Sequence, residues 1–166
     1  MERNPLVRRL ATISLVFIFL VILAGSVVRA TGSGMGCPDW PQCFGYTIPP
    51  TDVETLTWRT GRSFEEGQMI LLKDQFWVAT ADFTTGDAFA SENWTLFDRH
   101  DYNIFNPVHT WIEFINRLIG ALSGLPVLAL AIIGVWGVRR NIWNTILSVG
   151  VLFLLLFEAW LGKLVV

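Results

Sequence analysis

Apolar and charged positions alternate along this chain in blocks. No charged residue lies between Arg9 and Arg29 or between Arg117 and Arg139, and Glu158 is the only one between Arg140 and Lys163. A helix needs about 20 mostly apolar residues to cross a bilayer. The pattern predicts an all-α integral membrane protein with transmembrane helices over residues 9–29, 108–138 and 142–164. Residues 1–9 form a basic leader to the first. A cleaved signal peptide ending near Ala30 is the alternative there, but the apolar run is long for one and the residues after it look like motif, which favours an uncleaved span. Asn106-Pro107 makes a good start for the second helix, with Asn capping free amides and Pro suited to the first turn. Gly120, Ser123 and Gly124 suit close helix packing, and Pro126 predicts a kink. Trp143 and Trp160 stand at the two ends of the third span, as in an aromatic belt. Glu158 can snorkel, pair with Lys163, or act as a buried functional carboxylate.

Between the first two spans the pattern is weaker. Residues 46–106 are polar and aromatic, and Pro49-Pro50 marks a break. Residues 64–74 and 74–80 each fit a short amphipathic helix or a strand. A connector of this length is usually functional or a small subdomain.

Charge orients the spans. Arg3, Arg8 and Arg9 precede the first, and Arg139 and Arg140 join the second to the third, so both ends are expected in the cytoplasm. Residues 30–107 are then extracytoplasmic; they hold 11 of the 14 acidic residues. Overall, 52% of the residues are hydrophobic and 16% charged, with net charge −2, which fits a bilayer partner and no nucleic acid.

Two places carry candidate chemistry. Cys37 and Cys43, six residues apart in the external segment, favour a disulfide closing a tight loop. A metal site is the lesser reading, since no further ligand lies near in sequence. The second place is the start of the second helix. His109, Glu113 and Asn116 fall on one helical face with Arg117 beside them, and ionisable groups at the mouth of a span are functional candidates. Glu113 and Arg117 can be a plain ion pair at i, i+4. Alternatively Glu113, desolvated beside a bound apolar ligand, serves in proton transfer or stabilises a cationic intermediate. His109 can be an axial haem ligand or an interfacial residue. Arg29 can snorkel into headgroups or pair with an anionic group of a cofactor. His100 reads as a solvated loop histidine.

Taken together, three segments resemble the haem A synthases. They are residues 25–45, with Thr-Gly-Ser-Gly-Met-Gly-Cys and Trp-Pro-Gln-Cys after the first span; Glu113-Phe-Ile-Asn-Arg117 with the following Leu-Ile-Gly, similar to the family's Glu-x-x-His-Arg motif; and Glu158-Ala-Trp-Leu-Gly-Lys-Leu-Val-Val166, similar to the end of the family's third helix. The resemblance implies two pseudo-symmetric four-helix bundles, of which this chain supplies three helices of the amino-terminal one, and an amino-terminal fragment is expected. It implies oxidation of a methyl group of haem O to the formyl group of haem A in the bacterial inner membrane, with haem B as cofactor, mainly in the carboxy-terminal half. Haem O synthase and a quinone or other electron acceptor are the further partners expected. Glu113 matches the catalytic glutamate, and Cys37 and Cys43 match the external cysteine pair of one subclass. One departure matters: Asn116 stands where the motif has a haem-ligating histidine. His109, about 10 Å earlier along the axis, either replaces it or leaves this half with a single axial ligand. Two other functions fit less of the sequence. A quinone-linked thiol oxidoreductase calls for Cys-x-x-Cys and a second pair, both missing here. A non-catalytic haem-binding or assembly subunit fits a complete protein of 166 residues.

Overall fold

The computed structural model describes residues 5–98, 105–137 and 142–164. Arg3, His100, Arg139 and Arg140 lie outside the described residues. Three long helices dominate: α1 (Pro5–Thr31), α2 (Pro107–Trp136) and α3 (Ile142–Leu164), each long and apolar enough to span a bilayer. The α2 start matches expectation, because Asn106 Oδ1 accepts from the amides of Val108 and His109 at 3.0 and 3.3 Å. α2 continues through Pro126.

The chain divides into two compact units. One comprises Met1–Val28 with Ile115–Val165, the other Arg29–Phe114. In the first, apolar side chains point outward: Leu15 and Trp143 are 69% exposed, and no residue of α3 is buried. Water would penalise such a surface, whereas lipid does not. The chain is a multi-pass membrane protein. Several hydroxyls along the helices return to the backbone of their own helix, as Ser123 Oγ does to the Gly120 carbonyl at 2.6 Å. α2 and α3 meet at Gly134. Thr145 Oγ1 donates to its carbonyl at 2.6 Å, and a Cβ at 134 would run into the Ser148 side chain. Small residues let helices approach this closely in lipid.

The second unit is where sequence periodicity was ambiguous, and there it forms strands. These are β1 (Ser63–Phe64), β2 (Met69–Leu72), β3 (Gln75–Ala79), β4 (Phe83–Thr84) and β5 (Trp94–Leu96), all paired antiparallel, β1 with β4 and in the order β2-β3-β5. Residues 64–74 and 74–80 thus contribute β2 and β3, joined by a two-residue turn in which Lys73 and Asp74 take φ of 52° and 59°. Alternation along the strands serves two cores. Met69, Leu71, Phe76 and Val78 pack with Cys37, Cys43, Phe44 and Leu56. Ile70, Trp77 and Ala79 pack with Phe64 and Trp94. The register agrees, since Met69 pairs with Val78, Leu71 with Phe76, and Ile70 with Trp77. Period-two alternation gives each sheet face its own hydrophobic layer, and each fully buried Phe or Leu contributes about 1.5–3 kcal/mol. Edge-on ring contacts, such as Phe64 to Trp94 at 5.1 Å between centroids, tighten the second layer.

Tyr46 borders the first core. Burial raises its phenol above the usual 10.0, against the lowering effect of Arg62, whose Nη2 lies 3.3 Å from the hydroxyl. The folded-state value is the higher one, so Tyr46 supports the fold below pH 10.0, and that support fades as pH rises through its folded value. An ultraviolet difference titration against Tyr46→Phe should show this tyrosine ionising later than a free one. Ionisation at the ordinary value would contradict the packing described.

Candidate functional site

The candidate site lies in the Arg29–Phe114 unit, where the loop after α1 meets the first turns of α2. Cys37 and Cys43 form the expected disulfide, with both residues fully buried and their Cα atoms 4.8 Å apart. Asp39 organises the ring so closed: its carboxylate accepts from the amides of Phe44 and Gly45 at 2.6 and 2.7 Å. Those residues carry positive φ, 58° and 76°, so Asp39 steadies a backbone that Phe44 would not adopt unaided.

This loop sits on α2 at Gly36. A Cβ there would lie 2.5 Å from the His109 carbonyl oxygen and 2.8 Å from the Thr110 amide nitrogen. Only a residue without a side chain fits, although its φ of −77° is ordinary. The approach brings the Cys37 amide to Glu113, donating to Oε2 at 2.9 Å, and Thr110 Oγ1 to the Gly36 carbonyl at 2.8 Å. The Cys37 sulfur lies 3.7 Å from the Thr110 carbonyl oxygen; as a disulfide sulfur it has no hydrogen to donate, so this is a packing contact. Glu113 is 4% exposed. A buried carboxylate is costly unless hydrogen-bonded, and an amide aimed at it offsets part of that cost.

The sequence candidates divide accordingly. Cys37, Cys43 and Glu113 come together. His109 is half-buried next to them, and among the described residues its imidazole makes no hydrogen bond. Arg29 is exposed in the last turn of α1, where a cation suits the carbonyl end of a helix, and among the described residues it forms no ion pair. Asn116 and Arg117 belong to the other unit and are half-buried; the Asn116 Oδ1 lies 3.9 Å from where a Gly25 Cβ would stand. Sequence reasoning missed Thr110, Gly36 as the contact point, and Asp39. Among the described residues no three His, Cys, Asp or Glu side chains gather around a metal position.

Comparison with known proteins bears on the same loop. Residues 8–82 match the family described as COX15-CtaA, cytochrome oxidase assembly protein. That stretch takes in most of α1, the disulfide loop and β1 to β3, but stops short of Glu113. A heme A synthase of Shewanella oneidensis is 31% identical over 121 residues, covering 73% of this chain and 26% of that protein. A heme A synthase of Shouchella clausii is 46% identical over 43 residues, covering 25% and 14% respectively. The match therefore spans about a quarter of the first relative's length or less. No solved structure matches. With a span followed by a disulfide loop, and with these matches, the chain is similar over part of its length to the COX15-CtaA family and to heme A synthases.

Proposed function

We propose that this chain is the amino-terminal part of a haem A synthase of the bacterial cytoplasmic membrane. Its amino terminus is cytoplasmic, residues 30–107 form the external domain, and residues 1–29, 108–138 and 142–164 supply the spans. The observation that carries the reading is the buried Glu113 carboxylate at the start of α2, held under the disulfide loop by the Cys37 amide. Oxidising a methyl group to a formyl group takes up oxygen from water and releases electrons and protons. The electrons pass to a quinone or another acceptor. A desolvated carboxylate beside the reacting methyl accepts a released proton or stabilises positive charge built up there. Haem O, delivered by haem O synthase, is the substrate, and Arg29, Asn116 and Arg117 are assigned to its binding. Haem B, where bound, supplies the redox chemistry, and on this reading it belongs mainly to the carboxy-terminal bundle.

His109 fits an iron ligand better than Asn116 does, because its imidazole is half-buried with no protein partner among the described residues, and an amide binds iron poorly. His109→Ala in the complete protein should weaken haem O binding by about tenfold, roughly 1.4 kcal/mol. Unchanged binding and turnover would remove His109 from this reading. The full burial of both cysteines weighs against a thiol oxidoreductase, whose pair must be reached by another thiol.

The test is expression of the complete reading frame in a host that makes haem O but no haem A, followed by separation of the extracted haems. Haem A is the expected product. Bound haem without haem A would favour a haem-binding or assembly role, and no haem at all would overturn the reading.

A further inference from the structure

One peptide group links two side chains of α2. The Gly36 carbonyl accepts from Thr110 Oγ1 at 2.8 Å, and the amide of that same peptide, belonging to Cys37, donates to Glu113 Oε2 at 2.9 Å. Thr110 is fully buried, and it precedes Glu113 by three residues, so both side chains lie along one side of the helix. A helical threonine often returns its hydroxyl to the carbonyl four residues back; here that carbonyl, of Asn106, takes the Thr110 amide at 3.0 Å, and the hydroxyl is spent on the loop.

We propose that Thr110 is a positioning residue for Glu113, acting through the Gly36–Cys37 peptide; the proposal rests on the catalytic reading of Glu113 given above. Gly36 is required for close approach, yet a glycine leaves its peptide plane free to turn. The Thr110 hydroxyl removes that freedom. It also polarises the amide: hydrogen bonds in series strengthen one another, and the positive end of this peptide faces the carboxylate. Without the hydroxyl, the peptide holds a buried carbonyl with one partner fewer and an amide that no longer points at Glu113. The threonine side chain suits this task because its branched Cβ restricts χ1.

The test compares Thr110→Val, of similar shape without the hydroxyl, and Thr110→Ser, which keeps it, in the complete protein. Both are assayed for haem A formation with kcat and KM separated, and for hydrogen exchange at the Cys37 amide. For the valine variant we expect kcat about tenfold lower, KM for haem O within about twofold, and faster exchange at Cys37. The serine variant should recover most of both. Wild-type kcat in the valine variant, or a serine variant as impaired as valine, would overturn the proposal. Glu113→Gln is the reference. If it is inactive while Thr110→Val is not, only the positioning role fails. If Glu113→Gln is fully active, the catalytic reading fails, and the positioning role with it, whereas exchange at Cys37 still reports whether Thr110 fixes the peptide.

Discussion

Glu113→Gln should all but abolish haem A formation while leaving the protein in the membrane. The substitution keeps the volume of a side chain that is 4% exposed, and the glutamine oxygen still accepts from the Cys37 amide 2.9 Å away. The loop therefore stays seated on α2. What disappears is the negative charge and the ability to take a proton. A positioned acid or base contributes about 10²- to 10⁴-fold to turnover, and a fall of that order is expected with haem O binding largely retained. Separated haems from membranes of the complete protein measure it. Haem A at the wild-type level would show that this carboxylate serves only to hold the loop.

Gly36→Ala should act through the same contact from the opposite side. The new methyl would lie 2.5 Å from the His109 carbonyl oxygen and 2.8 Å from the Thr110 amide nitrogen. Both belong to the helix backbone, which cannot swing aside as a flexible side chain would. The loop must lift, stretching the bonds to Thr110 and Glu113 together. Overpacking of this kind costs about 1–3 kcal/mol or more, and losing two buried hydrogen bonds adds to it. The expected result is a lower denaturation midpoint in detergent together with loss of haem A formation. An unchanged midpoint would mean that the loop does not rest on α2 as described.

Much of this was legible in the sequence because its signals are local. Charge-free windows mark the helices, and the Asn106-Pro107 cap and the cysteine spacing each depend on neighbours a few residues apart. Glu113 stood out as an ionisable group in an apolar setting. The strands were harder to read. β1 and β4 are two residues each, and the β2–β3 turn uses Lys73 and Asp74 at positive φ in place of the glycine or asparagine that usually marks such a hairpin. A strand such as β2, whose two faces enter different cores, reads Met-Ile-Leu-Leu, with no polar alternation to reveal it. The Gly36 contact could not be read at all: it joins residues 74 apart, and a glycine-rich run does not say which glycine meets a helix.

The meeting of α2 and α3 at Gly134 bears on how this sequence can drift. Nothing on α3 is buried within this chain, so no close packing inside it ties the leucines, valines and phenylalanines of α3 to one shape. Position 134 is tighter, because a Cβ there meets the Ser148 hydroxyl, which would have to turn away from the Thr145 carbonyl, and the Thr145 hydroxyl fixes the register there. Where α2 meets α3, the tight fit falls on the smallest residue and the hydroxyl beside it, not on the greasiest side chains.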